Sequence, residues 1–245
     1  MSPLPVIMQK VLPLHTPYQP EKQENDMIIE QSTEFTNRWT QFRGAYIEAD
    51  VVNAPTSPAL WQEIQDFCVD LRSRYTTDTI KQQSGIAATR QAYKACGKDP
   101  SRYRPASEQL ARRVLQGKDL YSVDTLVDLG NLVSLFSGYP TGLLDQDRVV
   151  GNVSLGVGHA GEPYEGIGRG VLNIEGLPVY RDAEGPIASP TSDSTRTMLS
   201  ADTRHLLFII NGYDGDEAQI ERAVAYALDL IKRYAQSKNE RVARF

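Results

Sequence analysis

The chain has 245 residues, a formal net charge of −5, 40% hydrophobic residues and 23% charged residues. This length accommodates one large domain with a substantial core, and the composition is ordinary for a globular protein. The acidic balance argues against extensive nonspecific coating of DNA or RNA, and no apolar run approaches the length needed to cross a bilayer.

The first half of the chain is predicted to be mainly helical. Residues 44–53 have strand character, and Ser57 with Pro58 opens a helix, since serine caps helices and proline suits their first position. A second helix is predicted over residues 79–97, where a glycine ends it, and a third over residues 104–117.

Residues 124–145 carry the most informative pattern. An amphipathic helix is predicted to break at a Gly-Tyr-Pro-Thr-Gly turn over residues 138–142. Asp124, Asp128 and Asn131 lie nearly opposite its apolar stripe. Two interpretations stay open: a helix with a solvated polar face and Asp124 as its N-cap, or a helix whose polar face lines a cleft. Periodicity alone favours the first.

The second half of the chain is predicted to be richer in strands. Residues 149–157 and 171–180 are glycine-punctuated and β-branched, which is typical of strands and turns. Residues 204–211 form a continuous apolar run, which predicts a buried strand. A turn at residues 214–216 caps a final helix, which is expected to close the chain.

This order of elements predicts an α+β fold: a single domain with a mixed β-sheet flanked by helices, in which strands from both ends share a sheet. Residues 1–27, rich in Pro, Gln, Lys and Glu, are predicted to form an N-terminal arm before the single domain over residues 28–245. The chain start lacks the pattern of a signal peptide, and its two cysteines stand apart without a partner motif. We therefore expect a cytoplasmic protein with no membrane or DNA partner.

Patterns for most catalytic and metal chemistry are missing from the sequence. It contains no P-loop, no CxxC pair, no HExxH motif and no GxSxG elbow. His15, His159 and His205 are scattered and make neither a triad nor a metal site. The glycine-rich residues 166–170 lack the full spacing and the following helix of a dinucleotide loop. We expect no metal and no cofactor.

A hydroxyl-rich loop is the second segment that could contribute to a functional site. Residues 189–197 contain six Ser and Thr residues together with Asp193 and Arg196, so many donors and acceptors share a short arc. A solvated loop is the commoner meaning of such a cluster. The embedded acid and base make a ligand-binding loop more plausible.

Two clusters of basic residues stand out against the acidic balance. One contains Arg102, Arg104, Arg112 and Arg113, and the other lies near the C-terminus. Each cluster alone is typical of a solvated helix face. Two of them in an acidic chain make local phosphate contact a testable expectation.

Read together, these segments resemble the editing domain of the phenylalanyl-tRNA synthetase β-subunit and its free-standing relatives. The resembling segments are residues 126–135, 138–145 and 200–207, and residues 170–182 and 189–197 are similar to the free-standing group. The motif-bearing part spans about residues 102–240. The family hydrolyses the ester between a wrong amino acid and the 3′-terminal adenosine of tRNA, and the most similar free-standing branch deacylates canavanyl-tRNA(Arg).

The resemblance implies a set of site residues. Asn131 matches the family's asparagine near the ester, and Gly138 with Pro140 matches its Gly-x-Pro turn. Gly142 stands where the synthetase domain has a histidine. The family's acidic residue falls at Thr195, two residues after Asp193. These departures imply that the site selects a different amino-acid side chain.

A mechanism follows from these matches as an expectation. Water attacks the ester, the terminal ribose hydroxyl assists proton transfer, and no protein side chain is an obvious general base. Asn131 orients the ester or the water, while Gly142 and the Thr141 backbone donate to the oxyanion. The expected substrate-binding residues, of which Asp193 and Asp128 would hold a cationic side chain, are Asp128, Asp193, Ser194 and Thr195. The expected contacts to the acceptor end of tRNA(Arg) are Arg102, Arg104, Arg112 and Arg113.

Two other functions stay open. One is a noncatalytic tRNA- or amino-acid-binding module of the same fold, which the missing histidine and glutamate favour. The other is an unrelated hydrolase that cleaves small amino-acid esters without tRNA, against which the two basic clusters argue.

Overall fold

The computed structural model of the protein describes residues 27–245. The predicted arm, apart from its last residue, and His15 therefore lie outside the described residues. The helices are α1 (Thr33–Arg38), α2 (Pro58–Arg74), α3 (Ser84–Cys96), α4 (Ala106–Leu115), α5 (Thr125–Ser137) and α6 (Glu217–Tyr234). The strands are β1 (Ile29–Gln31), β2 (Arg43–Asp50), β3 (Thr141–Asp145), β4 (Val153–Val157), β5 (Glu165–Gly166), β6 (Gly170–Val171), β7 (Pro178–Asp182), β8 (Gly185–Ala188), β9 (His205–Gly212) and β10 (Lys238–Arg244).

The strands form two four-stranded sheets and one small hairpin. The central sheet has the order β10-β2-β9-β3 and is antiparallel throughout. The second sheet has the order β1-β4-β7-β8 and is mixed, because β1 pairs with β4 in parallel. β5 and β6 form the hairpin. The predicted α+β class is confirmed, strands from both halves share the central sheet, and the structure adds a second sheet to the expected one.

The central sheet is buried on both faces. Ile47 of β2 and Phe208 of β9 pack in a core shared with α2, α5 and α6. The alternate residues of each strand, such as Tyr46 of β2 and Ile209 of β9, face the other side of the sheet. They pack in a second core with the mixed sheet, α1 and α3. Because both faces are covered, β9 is a continuous apolar run rather than an alternating one.

The predicted helix starts are confirmed by their caps. Ser57 Oγ accepts from the third amide of α2 at 3.2 Å. Asp124 Oδ1 accepts from Val127 N at 2.9 Å at the start of α5, and Asp216 caps α6 in the same way. These caps were predictable because each involves residues three apart in the sequence.

Several elements differ from the prediction: β1, α1 and β8 were not expected, α4 is shorter than residues 104–117, and β3, β10 and the start of α3 also differ. Residues 141–145, expected as a turn and its exit, form β3, and β10 follows α6, so the last helix does not close the chain. Both strands are sheet edges, and β10 is largely polar, so no apolar pattern marks it. α3 starts at Ser84 because Gln83 caps it, and residues 80–82 form a separate 3-10 turn.

The turn between α5 and β3 is held from several sides. Gly138 has a φ of 76°, in the left-handed region, and a Cβ there would collide with the Gln83 carboxamide. Gln83 Nε2 donates to Ser137 O at 3.0 Å. Tyr139 is fully buried, and its hydroxyl donates to Asp214 Oδ1 at 2.5 Å. The start of β3 is therefore delivered in a fixed position.

Replacing Gly138 by alanine is expected to lower the free energy of unfolding by more than about 1–2 kcal/mol, the usual cost of a left-handed non-glycine residue. The collision with Gln83 adds to that cost. Gly117→Ala is the matched control, since Gly117 has a φ of 74° and open space around its missing side chain. Urea unfolding of both variants measures the difference. Equal losses would contradict a tightly held turn.

Candidate functional site

The edge of β3 that faces away from β9 has a defined hydrogen-bonding direction, and Leu144 forms an isolated bridge with Met198 there. Asn211 N of β9 donates to Pro140 O at 3.2 Å, whereas Leu143 N donates away from β9, to Asp193 Oδ2 at 3.3 Å. Because backbone groups of an antiparallel strand alternate in direction, Gly142 N faces β9 and Thr141 N faces the open edge. This corrects the expectation that Gly142 offers an oxyanion donor: its amide belongs to the sheet ladder, and Thr141 N is the remaining donor.

Asp193 lies directly beside Gly142. An ideal Cβ on Gly142 would be 3.3 Å from Asp193 Oδ1, so the carboxylate stands next to the space that a side chain at residue 142 would occupy. The loop over residues 189–197 follows β8, which is an edge strand of the mixed sheet. The site therefore forms where the edges of the two sheets meet.

The Asp193 carboxylate has an unusual electrostatic environment. The residue is half-buried, and it has no ion-pair partner within residues 27–245. Burial raises the pKa of its carboxyl group to about 7, against the single hydrogen bond from Leu143 N, which lowers it. Carboxylates removed from water normally have a cationic partner. At neutral pH the carboxyl group can therefore be neutralised by a proton or paired with a cation that a ligand brings.

The loop that carries Asp193 is anchored by its neighbours. Arg196 Nη2 and Nη1 donate to the two Asp182 carboxylate oxygens at 2.6 and 3.0 Å. Burial acts to raise the pKa of Asp182, but hydrogen bonds, first from Arg196, keep it below its usual range. Tyr164 Oη donates to Ser192 O at 2.6 Å. These contacts hold Asp193 in place and commit Arg196 to a structural role.

Asn131 follows directly after the residue of α5 that contacts the start of β3. Thr141 Oγ1 donates to Gly130 O at 3.2 Å, which brings the start of β3 against the helix one residue before Asn131. Gly130 permits this approach because Leu143 fills the space of its missing side chain. Asn131 is half-buried, and its carboxamide has no hydrogen-bond partner in the described part of the chain. That carboxamide is free to bind a ligand.

Asp128 does not belong to this site. It is 1% exposed, and its carboxylate accepts hydrogen bonds from Thr56 Oγ1 at 2.5 Å, Ser122 Oγ at 2.7 Å and Val123 N at 3.1 Å. The expectation that Asp128 binds a cationic side chain is therefore wrong. The Asp128 carboxylate oxygens are already used as hydrogen-bond acceptors, and these bonds fix the segment before α5 against the segment before α2.

Two loop residues also have local roles. Ser194 is buried, and its hydroxyl accepts from Arg196 N at 3.3 Å, so it caps the short 3-10 turn Thr195–Thr197 rather than facing a ligand. Thr195 is half-buried, and its side chain makes no hydrogen bond among residues 27–245. Asp193, rather than Thr195, contacts Gly142.

One predicted tRNA contact is part of a buried ion cluster. Glu108 is 0% exposed and accepts from Arg90 Nη1 at 2.7 Å and Arg112 Nε at 2.8 Å. Arg112 also donates to Thr77 O at 2.8 Å. Arg112 thus ties α4 to the segment between α2 and α3, which corrects the expectation that it contacts phosphate.

The other three arginines stay accessible. Arg102 and Arg104 are exposed, and the nearest carboxylate oxygen to Arg104 lies 3.9 Å away, on Glu108. Arg113 is half-buried, donates to Asp119 O at 2.6 Å and lies 3.9 Å from the ring centroid of Tyr121, which is 72% exposed. Phosphate contact remains an expectation for these three.

Asn211, which was not among the expected site residues, positions the turn before β3. It is buried in β9, donates from Nδ2 to Pro140 O at 2.9 Å and accepts from the Tyr180 hydroxyl. It therefore connects the turn before Thr141 with the mixed sheet. A polar residue at the end of a continuous apolar run was the signal that could have identified it.

Other features of the described residues lie apart from this site. A cavity of ≈ 330 Å³ opens beside α2 and is lined by residues such as Trp61 and Cys68. Within residues 27–245, no group of three His, Cys, Asp or Glu residues could hold a metal ion. Over the same residues, no helix is both long and apolar enough to cross a membrane.

Comparisons with known proteins point to one family. A family model described as the B3/4 domain matches residues 88–236. No curated protein matches the chain. Among solved structures, the chain is similar to an N-terminal fragment of the phenylalanyl-tRNA synthetase β-subunit from Pyrococcus horikoshii, at 9% identity and a TM-score of 0.49. That match covers 92% of this chain and 52% of the other, so the chain spans about half the length of that fragment.

Proposed function

Because the chain belongs to the B3/4 domain family, we propose that it is an aminoacyl-tRNA deacylase that acts in trans on mischarged tRNA. The substrate we favour is canavanyl-tRNA(Arg). Binding alone discriminates poorly between near-isosteric amino acids, so a second, hydrolytic site is a physically reasonable safeguard.

The observation that carries this proposal is the unpaired carboxylate of Asp193 beside Gly142. A half-buried carboxylate without an ion-pair partner is stabilised when a cation joins it, and an aminoacyl ester with a guanidinium-like side chain supplies one. Gly142 keeps the approach to Asp193 open, since a larger residue there would fill the space beside the carboxylate. The same feature supports a cationic substrate over an apolar one.

The proposed reaction uses positioning and electrostatics. Water attacks the ester carbonyl carbon, the bond to the ribose oxygen breaks, and the ribose oxygen leaves with a proton that its neighbouring hydroxyl relays. The Thr141 amide, which faces the open edge, donates to the oxyanion. The free Asn131 carboxamide orients the ester or the water. Asp193 holds the cationic side chain at a distance from the ester.

The decisive experiment is a deacylation assay on several charged tRNAs. Purified protein is incubated with tRNA(Arg) carrying canavanine or arginine, and with tRNA(Phe) carrying a noncognate amino acid. We expect the canavanyl ester to be lost much faster than in buffer. Equal hydrolysis of all three would mean that Asp193 binds the α-ammonium group common to every substrate. No loss above buffer for any ester would reject the enzyme.

The competing function is a noncatalytic module that binds tRNA or an amino acid. It predicts retention of tRNA on a filter without deacylation. Asn131→Ala separates the two functions, because it should slow hydrolysis about tenfold or more while leaving tRNA retention unchanged. A hydrolase for small esters would instead cleave canavanine methyl ester as readily as the charged tRNA.

A pH profile tests the charge of Asp193. The pKa of its carboxyl group, about 7 in the free protein, predicts that kcat/KM rises about tenfold per pH unit below pH 7. At higher pH kcat/KM should fall again, because the canavanyl side chain is a weaker base than a guanidinium and loses its proton. The profile of kcat should shift to lower pH, because a bound cation favours the ionised form. Buffer rates are subtracted at each pH, since esters hydrolyse faster in base. A flat kcat/KM between pH 5.5 and 8 would refute this role.

A further inference from the structure

The hairpin of β5 and β6 is built onto the backbone of Asp193. Ile167 N donates to Asp193 O at 2.9 Å, and Ser192 Oγ donates to Ile167 O at 3.2 Å. Gly166 forms an isolated antiparallel bridge with Ser194. The hairpin and the Asp193 loop therefore form one unit, and whatever contacts the hairpin lies next to the carboxylate.

This unit exposes three apolar side chains. Val171 is 92% exposed, Ile167 is 44% exposed, and Met198, just after the 3-10 turn on which β5 packs, is 40% exposed. Single exposed aliphatic residues need no explanation, but three of them around one candidate site indicate a contact surface.

Positive charge continues from the hairpin onto α4. Arg169 is exposed and has no carboxylate partner among residues 27–245; its guanidinium donates to the Gln109 side chain of α4. Gln109 Nε2 in turn donates to Arg104 O at 2.7 Å, and Arg104 is itself exposed. Glu165 offsets one charge on the hairpin, so the excess lies toward Arg104 and Arg102. Arg169 and Arg104 are thus connected through Gln109 where the hairpin meets α4.

From this juxtaposition we propose that the hairpin is the contact surface for the single-stranded 3′ end of the tRNA. Bases have apolar faces that pack on Ile167 and Val171, and phosphates pair with Arg169 and Arg104. The ester would then enter beside Asp193 while the preceding nucleotides lie across the hairpin. This inference rests on the proposed function for the identity of the nucleic acid.

Two variants test it: Arg169→Gln, and the double change Ile167→Ser with Val171→Ser. Filter binding to uncharged tRNA(Arg) measures affinity, and circular dichroism verifies folding. Each variant is expected to bind about tenfold more weakly, the scale of losing one phosphate contact or the burial of an aliphatic side chain. Arg169→Gln should also flatten the dependence of affinity on salt. Val69→Ser, at a 64% exposed residue of α2, is the matched control and should bind as the parent does.

A tRNA lacking its last three nucleotides locates the contact. On this truncated tRNA, parent and variants should bind equally, because the hairpin has lost its ligand. Full affinity of both folded variants for intact tRNA would overturn the inference, as would an unchanged deficit on the truncated tRNA. The proposed function and this inference give distinguishable failures. If the parent protein binds tRNA through the hairpin but hydrolyses no ester, the deacylase proposal is wrong, and the protein is a binding module with the same contact surface.

Discussion

Replacing Asp193 by asparagine is expected to lower kcat/KM for canavanyl-tRNA(Arg) by about thirtyfold to several thousandfold, the range for losing one partner of a desolvated charge pair. The carboxamide keeps the size and the contact with Leu143 N but not the charge. Single-turnover deacylation measures the loss. Asp66→Asn removes the same formal charge from an exposed position on α2 and should leave the rate unchanged.

The same substitution should stabilise the free protein. Folding raises the pKa of Asp193 above its value in the unfolded chain, so the carboxyl destabilises the fold increasingly as pH rises from about 4 to 7. Asp193→Asn should therefore unfold at higher urea concentration than the parent at pH 8, and the difference should vanish near pH 4. If the variant loses both activity and stability at pH 8, the Asp193 carboxylate must already have a stabilising partner in the free protein. That result would contradict the hypothesis that the ligand supplies its partner.

Replacing Glu108 by alanine is expected to lower the free energy of unfolding by about 3–5 kcal/mol. The change leaves Arg90 and Arg112 without their shared carboxylate, inside a region where Glu108 is fully buried. Urea unfolding followed by circular dichroism measures the loss. Because the cluster is shielded from solvent, the loss should be nearly the same at low and high salt.

Glu184→Ala is the control for this ion cluster. Glu184 is 59% exposed and pairs with Arg196 at 3.3 Å, so its loss should cost at most about 1 kcal/mol. Similar losses for Glu108→Ala and Glu184→Ala would mean that the buried cluster contributes no more than a surface pair. Arg112 would then be free enough to be reconsidered as a tRNA contact.

Local chemistry explains which elements the sequence could predict. Ser57, Asp124 and Asp216 each accept a hydrogen bond from the amide three residues further along the chain. β9 is buried on both faces, so its sequence is an unbroken apolar run. β3 and β10 have no such mark, because they are edge strands whose partners are distant in sequence. A prediction from local pattern therefore reached the α+β class but not the division into two sheets.

The candidate site shows the same limit. A helical wheel places Asp128 and Asn131 on one polar face, but it cannot reveal that Ser122 and Thr56 fold back to use the Asp128 carboxylate. The backbone groups of β3 alternate in direction, and this turns the Gly142 amide toward β9 and away from the site. Their direction cannot be predicted from the sequence, because it depends on how β3 pairs with β9. Composition marks the hydroxyl-rich loop in the sequence, but the contact of Asp193 with Gly142 arises only when the loop and β3 are folded together.

The register of the central sheet has a consequence for synthesis of the protein. Residues 43–50 find their partner only at residues 205–212, so the ribosome must deliver most of the chain before the sheet can close. Until then, α2 and α5 emerge with their apolar faces uncovered. Such long-range pairing slows folding and exposes partly folded chains to aggregation. Nascent chains stalled before residue 205 should therefore be protease-sensitive and dependent on chaperones, whatever the stability of the finished fold.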